Sequence, residues 1–208
     1  KRRSTVITLM IVFSATLPTF LGTTVALTES NFDVNVRQSN GAPINSRVRS
    51  GGYYMNFFNR EKAEYLPPDF TGRFTQVDRV GPAVGLTYPF PAAARNLVKL
   101  RDPSVSVYGL TGSLLDVTYP DLTSMVGDGE AAFARIFAEP DTVILSAGFA
   151  GYMDVGIGDV LLVEGQGIDH QVSLRVVGLV ERLSGFWNIG RNQRYIRWGG
   201  SPAFVSLD

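Results

Sequence analysis

With 208 residues the chain has room for one substantial domain or two small ones. Its 19 basic and 19 acidic side chains balance, which leaves no net field to gather nucleic acid. No cysteine is present, so disulfides, thiolate metal sites and cysteine nucleophiles are excluded together, and 45% hydrophobic against 18% charged residues is more apolar than an average soluble domain.

The apolar excess gathers at the N-terminus. After Lys1-Arg2-Arg3 the run from Ser4 to Thr28 carries no charge until Glu29. A helix rising 1.5 Å per residue needs about 20 apolar residues to cross a bilayer, and this run exceeds that. The basic cluster belongs on the cytoplasmic side by the positive-inside rule, and Pro18 is tolerated inside such a helix. A cleaved secretory signal shares the basic start, but its apolar middle is usually only about 7–15 residues long. A buried core helix would leave no solvated face at all. The transmembrane reading places 1–28 as basic flank and membrane helix. Residues 29–208 then form an extracytoplasmic region of one domain or two subdomains. A start at Lys1 in place of Met reads as part of a longer chain.

Beyond the helix, Phe32 to Gln38 alternates apolar and polar residues and predicts a half-buried strand, followed by a turn at "NGAP". The segment Ile44 to Tyr65, with "YYMNFF", is compatible with a strand or a buried helix. "LPPDFTGRF" predicts a loop, since a Pro-Pro pair ends any helix near Leu66. "AVGLTYPFP" predicts a short strand entering a turn, and "AAARNLVKLRD" a short helix or a strand extension. From Ser104 to Gly112 the alternation is strict, with Val105, Val107 and Gly109 on one face. A helix is expected over Gly129 to Ala138, with Asp128 as N-cap and Pro140 as the stop. "TVILSAGFAGYM" predicts a buried strand continuing into a short helix. "DVLLVEG" and "QVSLRVVGLVERL" predict a hairpin across a glycine-rich loop, and "PAFVSLD" a last strand. The fold class is α+β: an N-terminal transmembrane helix, then a mixed α/β extracytoplasmic domain with a strand-rich C-terminal part.

Chemistry-bearing patterns are few. In "DVGIGDVLLVEG" the glycines Gly156 and Gly158 lead into a strand, so the anion site of a phosphate loop at a helix N-terminus is missing. Asp154 and Asp159 lack the spacing of a calcium loop. Gly156, Gly158 and Asp159 therefore read as a structural turn, because glycine supplies the positive φ that turns require. His170 is the single histidine, which argues against an imidazole-based metal centre, where three protein ligands are usual. A serine hydrolase would have to pair it with Ser146 or Ser173, and the chain has no G-x-S-x-G elbow. Arg182, Arg191, Arg194 and Arg197, with Trp187 and Trp198 between them, suit a membrane interface or partner surface better than a nucleic-acid patch. Tyr53, Tyr54, Phe57 and Phe58 are candidate partner contacts, and ordinary core is the competing use of such residues. No catalytic, cofactor-binding or metal-binding residue is assigned.

The order of elements resembles a known family. A basic-flanked helix, "NFDVNVRQ", "VYGLTGSLLDVTYPDLTSMVGDGE" and "VILSAGFAGYMDVGIGDVLLVEGQGIDHQVSLRVVGLVERLSG" together look like the first transmembrane helix and MacB-like periplasmic core domain of FtsX/MacB-type ABC transporter permeases. Tyr152 to Asp159 matches the family's "lGl-x-vGD" turn, and Leu174 to Val180 its "VVGIv" strand. The likeness is specific over Ser104 to Gly185, while Gly51 to Asp102 departs from it. The resemblance implies a non-catalytic domain in the cell (inner) membrane, with no cofactor. Its implied partners are a cytoplasmic ABC ATPase subunit and a second permease copy or homologue. An extracytoplasmic lipoprotein, peptide or cell-wall hydrolase would be the third. The implied work is mechanical: ATP-driven motion is passed outward for export, lipoprotein handling or partner activation. An anchored or secreted binding module without a transporter is the alternative, and a serine hydrolase a weaker one.

Overall fold

The computed structural model describes residues 2–46, 70–87, 89–96, 101–165, 171–186, 189 and 200–207. The chain divides into two compact units, Lys1–Arg37 and Gln38–Asp208.

Helix α1 (Arg2–Asn40) has 39 residues and includes Pro18. At the helical rise it measures about 58 Å. It contains a stretch long and apolar enough to cross a membrane, and none of that stretch is buried. The hydroxyls of Thr16, Thr19, Thr23, Thr24 and Thr28 each donate to the carbonyl four residues earlier, at 2.8–3.0 Å. Polar groups that would be unsatisfied in hydrocarbon are thus bonded within the helix itself. The strand expected over Phe32 to Gln38 is instead the end of α1. The alternation of Phe32, Val34 and Val36 answers to no buried face, as all three side chains are at least 40% exposed. A helix already nucleated gains one hydrogen bond for each residue it adds, so it runs on until Gly41.

A second departure follows the Pro-Pro pair, where the expected loop contains a one-turn helix, α2 (Phe70–Phe74). A proline pair ends a preceding helix without forbidding one that starts two residues later. The Phe70 and Phe74 rings, four residues apart on α2, meet edge to face at 5.2 Å. The strand expected in "AVGLTYPFP" begins later: Leu86 makes only an isolated bridge to Leu110, and β1 covers Phe90–Arg95.

The remaining elements are β2 (Ser104–Leu110), β3 (Ser124–Val126), α3 (Gly129–Ala138), β4 (Thr142–Ser146), α4 (Ala147–Met153), β5 (Val160–Gly165), β6 (Gln171–Arg182) and β7 (Ser201–Ser206). Apart from β3, which the sequence did not announce, these follow the sequence reading closely, down to Asp128 capping α3 through a 3.0 Å bond from the Ala131 N–H. The strands pair in the order β3-β6-β4-β7-β2-β1-β5, and β5 pairs again with β6. Six strands thereby close into a ring, which leaves the three-residue β3 as an edge strand on β6. Strand β6 is the hub of this ring. Its first residues face β5, its middle runs parallel to β4, and its last pair with β3.

A bulge places Val143 opposite Val176 and Ile144 opposite Gly178, leaving Val177 as the extra residue. The bulge lets β6 serve both sides of the sheet. Val105, Val143, Leu145, Leu161, Leu174, Val176 and Ala203 form one apolar cluster with Phe149, Ala150 and Met153 of α4. On the other face Leu110, Ile144, Val177, Val180 and Phe204 pack with Ala132, Phe133 and Ile136 of α3.

Candidate functional site

The last turn of α1 meets the segment that leaves β6, and at this junction two backbones approach closely. A helix end leaves carbonyls without partners, and a residue with positive φ commonly terminates it. Gly41 does so here with φ 79°. Across from it, Gly185 has φ 86°. A Cβ on Gly41 would sit 2.7 Å from the Gly185 Cα and 3.0 Å from the Ser184 carbonyl oxygen. A Cβ on Gly185 would sit 3.0 Å from the Gly41 Cα. Each position therefore requires glycine for its backbone angle and again for the approach of the other backbone.

Hydrogen bonds complete the clasp. The Gly185 N–H donates to the Gln38 carbonyl at 2.7 Å. The Gln38 side-chain Nε2 donates to the Leu183 carbonyl at 3.3 Å. The buried Ser184 Oγ donates to the Gly41 carbonyl at 2.8 Å and accepts from the Tyr119 N–H at 3.3 Å. Asn45 Nδ2 takes up the Asn40 carbonyl at 2.9 Å. Three chain segments are joined through one hydroxyl. The β6 side of the junction is seated in the core by Leu183 and Phe186. Among the described residues helix α1 contributes none to either apolar cluster.

The described residues of the predicted turn and of the hydrolase reading fall elsewhere. Gly156, Gly158 and Asp159 lie in the turn between α4 and β5. There Asp159 Oδ2 accepts from the Gly156 N–H at 2.7 Å, and Gly158 adopts φ 100°. The Gly158 N–H donates to the Val176 carbonyl and the Val176 N–H to the Asp159 carbonyl, both at 2.8 Å, which ties the turn to β6. Ser146 is buried, and its Oγ accepts the Phe149 N–H at the start of α4, so its oxygen serves as a helix cap. Ser173 lies exposed on β6. His170, Tyr53, Tyr54, Phe57, Phe58, Trp187, Arg191, Arg194, Arg197 and Trp198 lie outside the described residues. Among the described residues no three acidic or histidine side chains gather as a metal site. One ion pair stands out near the sheet. Arg135 Nε donates to Glu139 at 2.9 Å, raising the guanidinium pKa and holding the Glu139 carboxyl below its usual range.

Sequence reasoning read Gly41 as a turn and missed Ser184 and Gly185. The Asn40-Gly41 pair is a helix-stop signal once α1 is taken to run that far. The pairing of Gly41 with Gly185 spans more than 140 residues and leaves no local signature.

No family model matches the chain, and no curated protein matches it. Among solved structures it is similar to the extracellular domain of the noncanonic ABC-type transporter YknZ from Gram-positive bacteria, at 17% identity and a TM-score of 0.43. That likeness covers 68% of this chain, which spans 65% of the length of the solved one.

Proposed function

We propose that the chain is the first membrane helix and the extracytoplasmic domain of an ABC transporter permease of the FtsX/MacB type. In this reading residues 1–28 cross the cell membrane from the cytoplasmic side, and the strand-rich unit works outside it. ATP is hydrolysed by a separate cytoplasmic subunit, the permease acts with a second copy or homologue, and this domain passes motion to an extracytoplasmic lipoprotein, peptide or hydrolase. Tyr53, Tyr54, Phe57 and Phe58 are the proposed contacts for that partner.

The observation that supports the reading is the course of α1. It begins at the basic pair Arg2-Arg3, runs through the uncharged apolar stretch to Thr28, extends about 18 Å further as the twelve helical residues Glu29 to Asn40, and ends in bonds to the segment after β6. A binding module that needs only an anchor has no use for such a fixed end, since a flexible tether would serve. The family resemblance over Ser104 to Gly185 supplies the kind of machine.

The test inserts a Gly/Ser spacer of about ten residues after Thr28, a length that behaves as a flexible coil. The same spacer after Gln76, in an exposed turn, is the control. Loss of transport-coupled activity in the assembled permease is expected for the first and retention for the second, with equal membrane expression. Full activity with the spacer after Thr28 would refute mechanical coupling.

A further inference from the structure

We propose that the Gly41–Gly185 clasp is a latch that opens on its own: the end of α1 detaches from Leu183–Gly185 while the six-stranded ring stays folded. Three observations carry this. First, the bonds described on the helix side of the contact come from backbone and short polar groups: the Gln38 carbonyl and amide, and the Gly41 carbonyl. Among the described residues helix α1 adds none to the apolar clusters, so its release uncovers mainly the Gly41 and Ser184 contact. Segments with few buried apolar contacts are those that open below the global unfolding free energy.

Second, the two sides are held unequally. Leu183 is fully buried and Phe186 nearly so, both within the cluster under α3. The β6 exit is therefore fixed to the ring, and the helix end is the part free to leave. Third, both contact residues are glycines held at positive φ. Glycine loses more conformational freedom on ordering than any other residue, and opening the latch returns that freedom to Gly41 on the helix side. Ser184 is the positioning residue. Its hydroxyl bridges the Gly41 carbonyl and the Tyr119 N–H, so it sets the depth at which the two backbones meet.

Use of the latch in transport rests on the permease reading above, whereas its independent opening does not. A permease could engage and disengage α1 from the ring at this point, so that motion is passed on in only part of the cycle.

Amide hydrogen exchange on the full chain in lipid nanodiscs tests the latch directly. The Gly185 N–H, bonded to the Gln38 carbonyl, reports the latch, and the β4 amides of Val143 to Leu145 report the ring. Gly185 should exchange at least about tenfold faster than the β4 amides in the unaltered chain, as a locally opening unit does. Ser184→Ala should speed Gly185 by about a further tenfold, the equivalent of one buried hydrogen bond, and leave Val143 to Leu145 unchanged. Gln38→Ala, a change on the partly exposed helix side, should act in the same direction by several fold and covers the case in which Ser184→Ala fails to fold. Equal exchange of Gly185 and the β4 amides in the unaltered chain overturns the proposal, because the clasp would then open only with the ring. Equal acceleration of both by either substitution overturns it too. If the latch behaves as stated but the spacer after Thr28 leaves activity intact, the transport reading fails and the latch stands.

Discussion

Replacing Gly178 with alanine tests how closely helix α3 is set against the sheet. A Cβ at this position would lie 2.6 Å from the Ala132 Cβ, 3.3 Å from Ile144 Cγ1 and 3.5 Å from Met125 Cε. Carbon atoms pack at about 3.5–4.0 Å, so the approach to Ala132 is too short by about 1 Å. The obstructing atom is fixed to the α3 backbone and cannot swing aside as a flexible side-chain end would. Helix α3 must lift instead, and Phe133 and Ile136, both buried on its inner face, lift with it. Inserting a methyl group into a close-packed core typically costs about 1–3 kcal/mol. Against this stands a gain of at most about 1 kcal/mol from stiffening the unfolded chain. The expected balance is a loss of about 1–2 kcal/mol, or a fall in Tm of roughly 3–6 °C for a unit of this size. Thermal and urea unfolding of the chain in detergent, followed by circular dichroism, reads this out. Ala132→Gly alone should cost about 1 kcal/mol as a glycine within a helix. Combined with Gly178→Ala it removes the obstructing atom, so the pair should be less damaging than the sum by about 1 kcal/mol. A Gly178→Ala chain as stable as the parent, or strict additivity in the double variant, would refute the argument.

Other positions give sharper single effects. Phe133→Ala, which empties a side chain buried between α3 and the sheet, should destabilise by about 3–5 kcal/mol in urea unfolding, whereas trimming exposed Val172 should change little. Asp128→Ala removes the acceptor for the Ala131 N–H and should cost about 1 kcal/mol, with Asp128→Ser largely retaining stability. Glu139 has its folded pKa lowered by the hydrogen bond from Arg135, so its contribution is present above the unfolded value of about 4.3 and lost as pH falls through the lower folded one. Glu139→Gln should therefore flatten the stability profile over that acid window and leave its shape near neutrality unchanged; an identical acid limb in the two chains would contradict this.

Where the sequence was readable, the signals were local. The limits of α3 follow from a capping aspartate and a proline ten or so residues later, and β5 and β6 from apolar alternation around a glycine-rich gap. The stretch Phe32 to Gln38 misled because its alternation has the strand period, while the decisive fact is a helix already running into it. The closure of the ring is invisible in sequence for a different reason. It depends on β5 returning to β6 at one end of a strand whose other half is shared with β4 and β3. Gly178 stood in a motif that gave its identity and no reason for it. The reason is Ala132, more than 40 residues away, which periodicity cannot bring to the same place. The clasp was hidden twice over, as Gly41 looked like an ordinary turn residue and Gly185 entered only as the end of the family-like segment.

The position of the clasp in the fold also bears on how it would carry load. Gly185 lies three residues past the end of β6, the strand that pairs with β3, β4 and β5. Sheet hydrogen bonds run across the strands, so a pull along β6 is shared by its ladders on both edges and does not fall on one bond at a time. The bulge at Val177 and the close seat of Ala132 on Gly178 further oppose sliding, because a register slip would drive the Gly178 position out from under α3. A pull delivered at Gly185 is therefore resisted by the whole ring, which would move as one body. The hydrogen-bonded contact with the helix end is the weakest connection along that line. In the permease reading proposed above, where the domain follows a moving helix, this order of strengths lets the joint give way before the ring does.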